Sequence, residues 1–227
     1  TGNTYPNRIE IEDAAGAHSP FHTLNVREDI LMNPNASITL FRNTVNRRAV
    51  DLLFTGSSGS RITASTTTLA LNTLTLNKNL VTSQLLVSSD ISFTTAIVRP
   101  VTLIQGHLIL DNSNINISLS AGAGNFTIPS AARLSLRNGA VANITGLATG
   151  LGLDGALSVE DNSKMLVNDG INDNFIEYGT SGFSFISVSG TGTLTVGSQI
   201  RRKITSESGI LGYSQSGGTV TVGNSAA

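Results

Sequence analysis

The chain has 227 residues, 39% hydrophobic, 13% charged and 5% aromatic, with 23 Gly, no Cys and no Trp. A soluble domain is typically about 25% charged, so this one must stay in water by means of uncharged Ser, Thr and Asn. The formal net charge of −1 argues against a nucleic-acid surface, and the lack of Cys excludes disulfide scaffolds and thiolate metal sites.

The first quarter is irregular. Pro6, Pro20 and Pro34 divide it, and Arg42, Arg47 and Arg48 concentrate positive charge. Segments 23–26, 38–41 and 50–54 are expected to be strands, so residues 1–48 form either irregular early coils or a small cap-like module. His18 and His22 stand four apart near Glu12 and Asp13, a metal-binding spacing on a helix, but Pro20 between them disfavours that geometry. Gly56-Ser57-Ser58-Gly59 is a turn and misses the spacing of a nucleophile elbow.

From residue 49 onward the hydrophobic period is two. Leu69-Ala70-Leu71, Leu74-Thr75-Leu76, Leu108-Ile109-Leu110, Ile117-Ser118-Leu119, Leu134-Ser135-Leu136, Leu157-Ser158-Val159, Phe183-Ser184-Phe185 and Leu194-Thr195-Val196 all read as short strands, each followed by turn-forming Asn, Gly, Asp or Ser. A repeat then separates a solenoid from a sandwich. Thr193-Leu194-Thr195-Val196-Gly197 returns 26 positions later as Thr219-Val220-Thr221-Val222-Gly223. Looser copies begin at Thr73, Val101 and Phe126.

These patterns predict an all-β chain wound as a right-handed parallel β-helix, with about 25–30 residues per coil and about seven to nine coils. Aliphatic side chains would stack inward, one coil on the next. Ser, Thr and Asn would face outward, and Asn77, Asn79, Asn112, Asn114, Asn138 and Asn162 are candidates for amide ladders. The strand-like ending at Thr219-Val220-Thr221-Val222 lacks a polar cap, so 49–227 is expected to belong to a longer polypeptide.

Chemistry-bearing residues are sparse. Asp169-Gly170-Ile171-Asn172-Asp173-Asn174 offers hard oxygen atoms at alternating spacing, which makes Asp169 and Asp173 candidate Ca²⁺ ligands; the same residues also read as a polar turn between two strands. No other cofactor is expected. Asp90 and Asp111 are spaced by about one coil, with Arg99 and Arg133 nearby, a pattern compatible with acid/base work on a polysaccharide. His107 reads either as a satisfied histidine or as a base. Thr-x-Thr pairs at Thr73, Thr193 and Thr219 suit an ice-binding array only if every coil carries one, and the intervening coils do not. Sequons at Asn35, Asn116, Asn125 and Asn143 permit glycosylation without implying it.

The segments Gly192-Thr193-Leu194-Thr195-Val196-Gly197, Gly218-Thr219-Val220-Thr221-Val222-Gly223, Gly155-Ala156-Leu157-Ser158-Val159 and Leu74-Thr75-Leu76-Asn77 resemble the β-strand repeats of giant secreted bacterial surface proteins, of the type IX-secreted adhesin-like kind or autotransporter passengers. The resemblance covers 49–224 and is one of texture, without a catalytic motif. It implies an extracellular, cell-surface β-helix with a structural or adhesive role and no enzyme activity. Its partners would be other surface or matrix proteins, glycans, or flanking repeats of the same chain, and not nucleic acid or membrane. A carbohydrate-active β-helix, lyase-like, hydrolase-like or glycan-binding, is the alternative.

Overall fold

The computed structural model describes residues 8–10, 22–33, 36–43, 48–64, 68–93, 97–122, 124–179, 182–203 and 208–223. Within them the only regular element is the β-strand, and almost every ladder is parallel. The exception is Phe41–Asn43, which runs antiparallel to Arg48–Phe54. The chain is a β-solenoid, as the sequence leads one to expect.

One face of the solenoid runs the whole length. Its strands are Ile30–Met32, Ser60–Ala64, Gln84–Val87, the second half of Val101–Asp111, then Ala132–Arg137, Ala156–Val159, Phe183–Val188 and Ile210–Gln215. Along it the register steps by 32, 25, 23, 26, 23, 29 and 27 residues, which makes about seven coils of about 26 residues. A second face begins with His22–Val26, Arg48–Phe54, Leu74–Asn77 and the first half of Val101–Asp111. Higher up, Phe126–Ile128, Gly150–Leu153, Phe175–Tyr178 and Ile200–Arg202 form their own ladder. The repeat seen in the sequence is a true register: Thr193, Leu194, Thr195 and Val196 pair with Thr219, Val220, Thr221 and Val222 in a third ladder that starts at Asn116–Ser120.

Period-two patterning explains the interior. On the long face, Leu85, Leu108, Leu134, Leu157 and Ile186 are ladder neighbours, as are Ile62, Val87, Leu110, Leu136, Val159 and Val188. All of them are buried in one continuous core. Each such side chain contributes about 1.5–3 kcal/mol by leaving water. In the last described coil the same two columns reach Tyr213 and Gln215, both exposed, since no described strand pairs beyond them.

Apart from Phe41–Asn43, the described N-terminal strands are parallel-paired too: Arg8–Glu10 and Ser37–Thr39 form a separate four-stranded ladder with Leu69–Leu71 and Ile91–Phe93, and two others join the ladders above. His22–Val26 pairs with residues 50–54, and Ile30–Met32 pairs with residues 62–64. The 25–33 tract, which has some helical spacing, is extended at both ends. His18 lies outside the described residues.

The corner inside Val101–Asp111 is made by Gly106 (φ +115°), where a Cβ would meet the Lys78 Cβ at 2.9 Å and the Ser83 carbonyl oxygen at 3.0 Å. The crowding has a cause. Lys78 is fully buried, and its Nζ donates to the Thr55 carbonyl (2.8 Å), the Ser60 Oγ (2.6 Å) and the Arg27 carbonyl (3.3 Å), with the Phe54 ring 5.9 Å away. Burial pushes its ammonium below the ordinary lysine pKa, against the opposing pull of Glu28 and Asp29. The side chain reaches backbone carbonyls on two earlier coils and so pins three levels of the stack at one corner.

Candidate functional site

The outward side of the long face carries two parallel rows. Gln84, His107, Arg133, Ala156, Phe185 and Gly212 form the first, and Leu86, Ile109, Ser135, Ser158, Ser187 and Ser214 the second. Adjacent members of a row stand about 4.8 Å apart, the spacing of paired strands. Hydroxyls of the second row are taken up by neighbours on the same face. The hydroxyls of Ser158 and Ser187 hydrogen-bond each other, and Ser135 meets the His107 Nε2 at 2.8 Å.

His107 is held neutral. Burial, followed by the Arg137 and Arg133 guanidinium groups, pushes its pKa down to about 4. An unfolded chain would protonate this ring near pH 6.5. Unfolding therefore binds a proton between pH 6.5 and about 4, and stability contributed by His107 is lost as pH falls through that window, by up to about 3 kcal/mol. Urea midpoints at pH 7.0 and 4.5 should drop more for the unmodified chain than for His107→Gln; an equal drop would show that the ring is not held neutral.

The upper part of the first row is a shelf. Phe183 and Phe185 stack with centroids 6.0 Å apart and an interplanar angle of 24°, and Phe183 is 62% exposed. Period-two reading of Phe183-Ser184-Phe185 would turn aromatic rings inward and leave serine outside. The opposite occurs: Ser184 is fully buried and donates to the Leu153 carbonyl at 2.7 Å. Ile186 and Val188 in the same strand are buried, and their parity decides which way the strand faces. Gly212 beside the rings leaves the room they occupy, because a Cβ there would overlap both. Next to the pair opens a hollow of about 330 Å³, floored by Ala132, Gly155 and Ala156 and edged by exposed Arg133.

The acidic residues have other work. Asp29 accepts from the Arg61 backbone N–H at 2.8 Å, and Asp51 accepts from the Asn72 amide and the Thr73 hydroxyl, each at 2.6 Å. Asp90 accepts from Asn112 (2.9 Å) and Asn114 (3.2 Å), and Asp111 accepts from Asn138. Glu177 receives Arg201 at 2.6 Å, with that guanidinium lying over the Phe175 ring, and also takes the Asn125 amide at 3.3 Å. Every one of these bonds links different coils. Asp90 and Asp111 are each engaged by amides of the following coil, and Arg133 lines the hollow beside the two rings.

Asp169 lies in a loop that satisfies it internally. Its carboxylate accepts the Ile171 and Asn172 backbone N–H groups, the Asn172 side-chain amide (2.6 Å) and the Gly146 N–H of the preceding coil (2.9 Å). These hydrogen bonds outweigh the opposing effect of burial and hold its pKa well below the usual carboxylate range. The buried Asn174 completes the loop by donating to the Gly146 and Thr149 carbonyls. Four N–H donors point where a Ca²⁺ ion would need only oxygen atoms. Asp173 is exposed, and its carbonyl accepts from the Ser198 hydroxyl. Among the described residues no three His, Asp or Glu side chains converge on a point that suits a metal.

Sequence reasoning missed the shelf and the buried Lys78. The parity of Ile186 and Val188 was the available signal for the first; for the second, a lone lysine at a strand end gives none. No protein-family model matches the chain, and no curated protein or solved structure matches it.

Proposed function

We propose that this chain is an extracellular structural and adhesive segment of a bacterial surface or filament protein: a stiff β-solenoid that spaces or attaches, and does no catalysis. The observation that carries this reading is where the polar groups are spent. Asp29, Asp51, Asp90, Asp111 and Glu177 each bind donors on a neighbouring coil, as do the Ser158–Ser187, Asn143–Asn116 and Thr191–Asn162 pairs. Carboxylates committed to clamping one coil to the next are poorly placed to exchange protons with a substrate. Side-chain bonds added to continuous backbone ladders resist both bending and slippage. The sparse charge suits the same role, because like charges stacked coil upon coil would repel. The surface-protein resemblance of 155–159 and 192–223 points the same way, and surface proteins, matrix proteins or glycans are the partners such a segment would meet.

Beads coated with the purified chain should be retained under flow on films of matrix protein or matrix polysaccharide, and the polysaccharide should gain no new reducing ends. Failure of the beads to hold on any film would overturn the adhesive reading. Appearance of reducing ends would replace it with a carbohydrate-active enzyme.

A further inference from the structure

The shelf on the long face brings two stacked apolar rings, open space and a cation together at the surface. Two stacked phenyl rings, one of them 62% exposed, stand out on the upper coils of this face, where their row neighbours are Ala156, Ser158, Ser187, Gly212 and Ser214. Leaving such rings in water costs free energy, and the strand places them there although Ser184 between them points inward. Small residues, Ala132, Gly155, Ala156 and Ser130, make up most of the rest of the lining of the adjoining hollow, with Val81 at one side.

We propose that this shelf binds an acidic glycan, with the apolar face of one pyranose on Phe183 and Phe185 and the carboxylate of the neighbouring uronic acid on Arg133; the proposal rests on the adhesive reading and specifies its ligand. The C–H face of a pyranose ring is flat, apolar and weakly positive, which complements the negative face of a phenyl ring. A guanidinium holds a carboxylate through paired N–H bonds. The spacing also fits. Arg133 and Phe185 are two ladder steps apart, with Ala156 between them, or roughly 10 Å along the axis. The Arg133 side chain and both rings line the same hollow, so the reach of the guanidinium closes part of that separation and sets the charged sugar next to the stacked one. The row continues beyond Arg133 to His107 and the exposed Gln84, so the chain of sugars would run along the solenoid axis.

The test is calorimetric titration of the whole chain with hyaluronan hexasaccharide, in which uronic acid alternates with a neutral sugar, and with neutral chitohexaose. The acidic oligomer is expected to bind at least tenfold more tightly than the neutral one. Phe183→Ala should weaken both, by about tenfold, and Arg133→Gln should erase the preference without abolishing neutral binding. Phe183 is mostly exposed, so its substitution leaves the fold intact, and the urea midpoint checks this. The absence of binding by either oligomer, or binding that neither substitution changes, would overturn the proposal. A concentration-dependent dimer dispersed by Phe183→Ala would also overturn it, by assigning the rings to a second copy of the chain. Bead retention under flow separates the two levels: beads that hold while the titrations are flat leave the adhesive reading standing and remove the glycan shelf, whereas oligomer binding with no retention does the reverse.

Discussion

Leu134→Ala should destabilise the chain by about 3 kcal/mol, whereas Val220→Ala should cost only about 1 kcal/mol. Leu134 is fully buried, with Leu108 on the coil before it and Leu157 on the coil after it. Truncation leaves a void that neither neighbour can fill, because their backbones are fixed by ladders on both sides. Val220 pairs with Leu194, no described strand pairs with it on the other side, and it is already partly exposed. In a stack with nearest-neighbour coupling, position along the axis sets the cost of a given deletion. Urea unfolding of the two variants measures this directly, and equal losses would contradict the column.

Gly155→Ala should be as damaging, at about 3 kcal/mol, for a steric reason. A Cβ at this position would fall on the carbonyl oxygens of Ala132 and Pro129, which belong to the preceding coil. The backbone cannot retreat. The Gly155 N–H donates to the Ile128 carbonyl at 2.9 Å, and its own carbonyl accepts the Phe185 N–H at 2.9 Å. Gly59→Ala is the control. Nothing lies within 4 Å of its would-be Cβ, and the change should stay within about 0.5 kcal/mol. A tolerated alanine at 155 would show that the coils are not in close register there.

How much of this was legible follows from what each residue does. Thr193 to Val196 and Thr219 to Val222 could be matched by eye because both ladders repeat one pattern without insertion, and the structure pairs them residue for residue. The same holds for Leu74, Thr75 and Leu76 against Val101, Thr102 and Leu103. The Asn residues were recognisable as inter-coil material, but their partners were not. Asn112, Asn114 and Asn138 donate to carboxylates rather than to each other, and the direct amide pair is Asn143 with Asn116. Partner choice depends on which coil lengths put which turn residues side by side, and steps ranging from 23 to 32 residues hide that from the sequence. Asp169 carried the oxygen spacing of a cation loop, yet the same spacing lets an aspartate cap its own backbone N–H groups. The orientation of Phe183 was set by residues three and five positions further along. Lys78 owes its burial to three acceptors contributed by positions 27, 55 and 60, which no local pattern announces.

The absence of native cysteine makes the winding itself open to a direct test. Ser158 and Ser187 are ladder partners whose hydroxyls touch, so the pair Ser158→Cys/Ser187→Cys lies within disulfide reach. If the strand at Ala156–Val159 instead folded back on Lys164–Val167 as a hairpin, Ser158 would face Met165, and the pair Ser158→Cys/Met165→Cys would be the one to close. Oxidation of the folded chain should cross-link 158 with 187 rapidly and leave 158 and 165 as free thiols. Cross-linking of 158 with 165 and not with 187 would contradict the solenoid and everything built on it.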